Sequence, residues 1–84
     1  MLAAHEIKKE YENRIKKGIY RHFKGNLYEV LDIAYHSEDM SAMVVYRALY
    51  GEHDVWVRAA SMWEEYVQRD GVRVPRFEYV GDKI

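Results

Sequence analysis

The 84-residue chain contains no cysteine and only one proline. Without cysteine there can be no disulfide, no thiol nucleophile and no thiolate metal site. No apolar run approaches the roughly 20 residues that a membrane-spanning helix needs, and the charged N-terminal segment is unlike a signal peptide. Neither sign of charge dominates, because 13 Lys and Arg stand against 14 Asp and Glu. These absences argue against a strongly basic nucleic-acid clamp and predict a cytoplasmic protein without a membrane partner.

What the chain has in quantity is apolar and aromatic surface. Apolar residues make up 49% of it and aromatic residues 14%, and eight residues are tyrosines. A chain of this length can form one small core, so we expect a single globular domain. Because a buried tyrosine hydroxyl needs a hydrogen-bond partner, most of these rings are expected to be half-buried, with their hydroxyls at the surface.

The chain is predicted to consist of an N-terminal helical segment, residues 1–17, and a small β-barrel-like domain, residues 18–84. Within the first segment, the helix itself is predicted over residues 2–17. The helical segment contains neither glycine nor proline, and Ile7, Tyr11 and Ile15 recur every four residues along one face. This narrow apolar stripe is expected to dock against the sheet or against a second copy of the chain. The second alternative would make the protein a homodimer through this helix.

The remainder of the chain has the pattern of short strands. They are predicted over residues 19–24, 27–36, 43–50, 55–58 and 73–80. A bulge near Leu31 or Asp32 would reconcile the imperfect alternation of the second strand. The third strand has the highest density of β-branched and aromatic residues, so it is expected to be central, with Val44 or Val45 buried. Pro75 cannot donate a hydrogen bond to a neighbouring strand, which predicts an edge or a bulge in the last strand.

Ser61 and Glu64 match the capping box that begins many helices. A short helix is therefore predicted to begin at Ser61 and to end before Asp70 and Gly71. The predicted fold class is mainly β with an N-terminal helix. The strands would form a small, strongly bent sheet or an SH3-like barrel, with one short inserted helix.

Arginine recurs beside an aromatic residue in three of the predicted strands, which suggests a ligand-binding surface. Its candidate residues are Tyr46, Arg47, Trp56 and Arg58, with Arg21 and Arg76 at the edge. A guanidinium stacks on aromatic rings and binds carboxylates or phosphates. The predicted partner is therefore an anionic ligand, a nucleotide, an RNA or a protein. The alternative is that these arginines pair across strands with Glu29, Asp32, Glu52 or Glu78 and only stabilise the sheet.

Signals of catalysis are fewer. His22, His36 and Glu38 are candidates for a small hydrolase or a metal-dependent enzyme, but the histidines lack the paired spacing of a zinc site. No glycine-rich loop for binding phosphate is present. We therefore expect a binding module without enzymatic activity, metal or cofactor. Clustering of these three side chains in a pocket would favour an enzyme, and their scatter would favour binding.

Five short motifs resemble a bacterial family of unknown function, DUF1653. They are YRHFKG at residues 20–25, HSE at 36–38, VYRALYG at 45–51, WVR at 56–58 and VPRF at 74–77. Ala59 departs from the family pattern, which has proline after WVR, and this affects only the local turn. The resemblance covers residues 18–80, so the N-terminal helix lies outside it. It implies a compact, largely β domain of the bacterial cytoplasm with no established activity.

Overall fold

Seven strands and two helices are found in residues 3–83, the part of the chain that this computed structural model describes. The elements are α1 (Ala4–Arg14), β1 (Gly18–His22), β2 (Leu27–Tyr35), β3 (Ala42–Ala48), β4 (Val55–Ala59), α2 (Ala60–Trp63), β5 (Tyr66–Arg69), β6 (Val72–Pro75) and β7 (Phe77–Gly81). Neither helix is long and apolar enough to cross a membrane. The prediction of a mainly β fold with an N-terminal helix is confirmed.

Five of the strands form one antiparallel sheet in the order β4-β3-β2-β1-β7, and β5 and β6 form a separate hairpin. β3 pairs on both sides, and the side chain of Val44 within it is completely buried, as predicted. The register between β2 and β3 shifts between Val30 and Asp32, so the predicted bulge is confirmed. This bulge keeps Val30 and Ile33 on the same buried face of the sheet although they are three residues apart.

The sheet is open, and the SH3-like barrel alternative is wrong. β4 and β7 lie at opposite edges of the sheet and do not pair with each other. Ile15, directly after α1, and Trp63 at the end of α2 are both buried in one core with the residues of one face of the sheet. Because these side chains complete the core, the two edge strands do not have to meet in order to cover it.

The predicted short inserted helix is confirmed, although it is a single turn over Ala60–Trp63 that begins one residue before Ser61. Ala59 occupies the N-cap position, and no side chain caps the helix. The chain then forms β5 and turns at Asp70 and Gly71, whose φ angles are 53° and 78°. An Asp-Gly pair with two positive φ angles is characteristic of a tight hairpin turn, which explains why the chain before it is a strand and the helix stays short.

The last predicted strand is divided into β6 and β7 at Arg76, directly after Pro75. The backbone N–H of Arg76 donates to the carbonyl oxygen of Glu65 at 2.9 Å, outside the five-stranded sheet. Proline cannot continue the backbone pairing, so the chain changes sheets at this point. The prediction of one continuous strand over residues 73–80 is therefore corrected to two strands.

α1 packs against its own sheet. It is shorter than predicted, and Met1 and Leu2 lie outside the described residues. Ile15 is buried, and Ile7 and Tyr11 are half-buried against the core. The apolar stripe is thus used within the chain itself, which is the first of the two predicted alternatives. The guanidinium of Arg14 also donates two hydrogen bonds, of 2.9 and 3.0 Å, to the carboxylate of Glu64.

Candidate functional site

The sheet has an inner face that packs under the helices and an opposite, outer face. In the register of β3 and β4, Tyr46 is opposite Trp56, and Val44 is opposite Arg58. Opposed residues point to the same side of a sheet. Because Val44 and Tyr46 are buried in the core, Trp56 and Arg58 also belong to the inner face.

The other two arginines of these strands project from the outer face. Arg47 is opposite Glu29 of β2, and Arg21 is opposite Glu78 of β7. Successive residues of a strand alternate between faces, so Arg47 points away from Tyr46. The six predicted binding residues therefore divide into an inner group, which contains Tyr46, Trp56, Arg58 and Arg76, and an outer pair.

Phe77 is the centre of the inner group. The Cζ atom of Arg58 lies 5.6 Å from the centroid of its ring. Trp63 stacks on the same ring with a centroid distance of 3.7 Å and an interplanar angle of 2°. His22 and Tyr28 meet it edge-on at 5.0 and 5.7 Å. We call the set His22, Tyr28, Arg58, Arg76 and Phe77 the inner-face cluster.

The inner-face cluster carries excess positive charge. Burial lowers the pKa of His22, and the neighbouring charges of Arg76, Lys24 and Arg58 lower it further. Within residues 3–83, Arg58 has no carboxylate at ion-pair distance, and for Arg76 the nearest is Glu65, with 3.8 Å between Nη2 and Oε1. The Nε atom of Arg76 is buried and has no hydrogen-bond partner. Cationic groups therefore lie close together here with little compensating negative charge.

The polar atoms of the cluster are mainly hydrogen-bond donors. The Nδ1 atom of His22 accepts a hydrogen bond of 3.1 Å from the backbone N–H of Lys24, so the neutral imidazole carries its proton on Nε2. The hydroxyls of Tyr28 and Tyr50 are 2.7 Å apart. Burial, together with the hydrogen bond to Tyr50, raises the pKa of Tyr28 to about 12, so this phenol remains protonated at neutral pH. Such an arrangement can bind a group rich in acceptor atoms.

The predicted catalytic residues do not converge. His22 ends β1, beside the start of β2, and His36 follows the far end of this nine-residue strand. At about 3.3 Å per residue, their backbones are separated by roughly 25 Å or more. His36 and Glu38 are exposed in the turn after β2, where the Nδ1 atom of His36 accepts a hydrogen bond from the backbone N–H of Glu38 at 3.1 Å. No group of three His, Asp or Glu residues in the described part of the chain is placed to hold a metal ion.

Sequence reasoning missed the central role of Phe77 and the participation of Tyr28 and Tyr50. Their convergence depends on the pairing of β1 with both β2 and β7, which joins segments about fifty residues apart. The one available signal was the tyrosine at position 28, which is two residues before Val30 and therefore lies on the same, buried face of β2.

A family model described as "Protein of unknown function (DUF1653)" matches residues 18–79. The crystal structure of a DUF1653 protein from Bordetella bronchiseptica is similar, with 35% sequence identity and a TM-score of 0.76. The match covers 82% of this chain and 91% of the other. No curated protein matches the chain. The family match contains all five sequence motifs and the whole inner-face cluster, whereas α1 precedes it. The chain therefore belongs to the DUF1653 family.

Proposed function

We propose that the protein is a binding module that holds an anionic group on the inner-face cluster, between Arg58, Arg76 and His22. The observation that carries this proposal is the grouping of two guanidiniums around one imidazole with a single carboxylate, at 3.8 Å, to compensate them. Bringing like charges together costs free energy unless an anion joins them. A bound anion would supply the missing charge and accept hydrogen bonds from these donors.

Aromatic side chains beside the cationic groups indicate the kind of anion. Trp56 is 54% exposed on the inner face, and Tyr50 is 45% exposed where its hydroxyl meets Tyr28. Planar ligand groups stack on exposed rings, and guanidinium groups match the oxygen atoms of phosphates and carboxylates. These features support a ligand that carries a phosphate or carboxylate on a planar group, of which a nucleotide is one example.

Arg47 and Arg21 do not belong to this proposed site, because they project from the other face of the sheet. Their register opposite Glu29 and Glu78 fits the cross-strand alternative, although neither arginine has a carboxylate within 4.0 Å in the described residues. Arg47 therefore provides a control that has the same chemistry and lies on the opposite side of the same sheet.

The proposal is tested by titrating the full chain with adenosine monophosphate and with inorganic phosphate, followed by calorimetry. Arg58→Ala is expected to weaken binding by about 1–3 kcal/mol, the range for a hydrogen bond to a charged group, whereas Arg47→Ala should leave it unchanged. The melting temperature of Arg58→Ala should stay close to that of the wild type, because its guanidinium has no ion-pair partner to lose.

A second measurement follows the imidazole of His22 by NMR. A bound anion stabilises the imidazolium, so the pKa of His22 should rise when the ligand is added. An unchanged pKa, or equal losses of affinity in Arg58→Ala and Arg47→Ala, would contradict the proposed site. A fall of several degrees in the melting temperature of Arg58→Ala, with no binding of either probe to the wild type, would identify Arg58 as a structural residue.

A further inference from the structure

One edge of the five-stranded sheet is apolar and uncovered. β4 forms this edge, and three consecutive side chains in it, Val55, Trp56 and Val57, are 50%, 54% and 61% exposed. An edge strand of this kind presents unpaired backbone groups that readily pair with another strand, and proteins usually protect such edges. The only charged residue of β4 is Arg58, and the strand contains no proline.

The opposite edge, formed by β7, does have such protection. Glu78, the second residue of β7, is exposed, and the register with β1 is interrupted between Ile19 and Tyr20. A charge and a bulge are two of the features that prevent an edge strand from pairing further. The contrast between the two edges indicates that β4 is available for pairing in a way that β7 is not.

The backbone of β4 alternates between its neighbour β3 and the open edge. The pairing of β3 with β4 places Arg47 opposite Val55, so the next pair along the strands is Ala48 and Asp54. These two residues are hydrogen-bonded, because the N–H of Ala48 donates to the carbonyl oxygen of Asp54 at 3.0 Å. Hydrogen-bonded pairs recur at every second residue of an antiparallel ladder, so Trp56 and Arg58 bond to β3. The N–H and C=O groups of Val55, Val57 and Ala59 therefore point outward from the sheet.

This set of outward groups is self-complementary. If two copies of β4 run antiparallel with Val57 on a two-fold axis, Val57 faces itself and Val55 faces Ala59 of the other copy. All of these residues have outward backbone groups, so up to about six hydrogen bonds can form. On the inner face, each Trp56 then lies opposite an Arg58 of the second copy, a favourable cation–π pair.

The neighbouring symmetric registers are poorer. An axis at Trp56 opposes only Val55 with Val57 and leaves Ala59 without a partner. An axis at Arg58 brings two guanidinium groups together, and directly opposed like charges are destabilising. The sequence of β4 thus favours one register over its alternatives.

We propose that a second copy of this chain pairs with β4 through this register, which joins the two five-stranded sheets into one continuous sheet. The interface is isologous, since each copy contributes the same surface. A five-residue edge falls below the roughly 800 Å² per partner of a typical stable interface, so the dimer is expected to form reversibly at micromolar concentrations. This inference does not depend on the proposed anion site.

Sedimentation equilibrium of the full chain across a range of concentrations tests the dimer. We expect the mass of the wild type to rise with concentration and Val57→Lys to remain monomeric, because two lysines would face each other on the axis. Val72→Lys is the matched control, since Val72 is 59% exposed on the separate β5–β6 hairpin. Both variants change solvent-exposed side chains, and their melting temperatures in dilute solution should match that of the wild type.

Cross-linking tests the register. The chain has no cysteine, so Val57→Cys and Val72→Cys each carry a single thiol. Opposed Cα atoms in a hydrogen-bonded pair lie about 5.5 Å apart, within the range that a disulfide spans. Under mild oxidation Val57→Cys should therefore form a covalent dimer much faster than Val72→Cys. Equal rates, a wild type that is monomeric at every concentration, or a dimer that survives Val57→Lys would overturn the proposal. None of these readouts requires a ligand, so failure here is distinct from failure of the anion site.

Discussion

Replacing Ile15 by alanine tests how much the N-terminal helix stabilises a fold whose family match begins only at residue 18. The side chain of Ile15 is 3% exposed and belongs to the main core cluster. Truncating a buried isoleucine to alanine typically costs about 2–5 kcal/mol, through the lost burial and the cavity that remains. Ile15 lies at the end of a helix that can partly collapse into the cavity, so we expect about 2–4 kcal/mol.

This loss is large for a domain of this length. A stability of about 0.05–0.15 kcal/mol per residue gives roughly 4–13 kcal/mol in total. In a domain of this size each kcal/mol shifts the melting temperature by about 4–8 °C. The Ile15→Ala variant should therefore melt at least about 8 °C below the wild type. Burial of all three stripe side chains contributes on the order of 5 kcal/mol before ordering costs, so a chain that begins at Gly18 should lose more.

Urea unfolding followed by circular dichroism measures the effect directly, because the midpoint should fall while the slope stays constant. Lys9→Ala is the matched control, since Lys9 is exposed on the same helix and alanine is a good helix former. If Ile15→Ala destabilises the protein no more than Lys9→Ala does, the reasoning from burial to stability is refuted.

Three further predictions concern pH and backbone conformation. Burial and neighbouring cations lower the pKa of His22 below 6.5, so on acidification the unfolded chain takes up a proton at this residue before the folded chain does. Between about pH 7 and pH 5 the melting temperature of the wild type should therefore fall more than that of His22→Gln. Burial raises the pKa of Tyr20 from 10.0 to about 12, so stability should be lost as the pH rises above 10, and Tyr20→Phe should lose less of it in alkaline unfolding experiments. Gly18→Ala should lower the urea midpoint much more than Gly25→Ala does. Both glycines have positive φ, but only at Gly18 would an added Cβ atom clash with the backbone, since it would lie 2.7 Å from the carbonyl oxygen of Gly81.

The elements that could be predicted from sequence are those whose signal is local. The density of β-branched residues in β3 predicted its interior position, and the broken alternation around Leu31 predicted the bulge. The spacing of Ile7, Tyr11 and Ile15 similarly predicted the buried side of α1. In each case a buried face produces a periodic spacing of apolar residues in the sequence.

The elements that could not be predicted depend on pairing between distant segments. Whether a small sheet closes into a barrel is decided by which edge strands meet, and no local pattern in β4 or β7 encodes that choice. The Ser61 capping pattern favours a helix, whereas the Asp70-Gly71 pair favours a hairpin turn with a strand on each side, and the two patterns compete for the residues between them. The predicted binding surface combined Tyr46 and Arg47, and the alternation of a strand places such neighbours on opposite faces.

The separation of the β5–β6 hairpin from the main sheet has a consequence for motion. A two-stranded hairpin is barely stable by itself in water, so this one depends on its attachments. Among them are the hydrogen bond from the guanidinium of Arg69 to the carbonyl oxygen of Phe23 and the bond of 2.9 Å from the backbone N–H of Phe23 to the carbonyl oxygen of Arg76. Regions secured by few contacts open with a smaller free energy than the whole domain requires to unfold. The hairpin is therefore expected to open more readily than the five-stranded sheet, and each such opening would break its bonds to Phe23 and admit solvent to the buried Nε of Arg76.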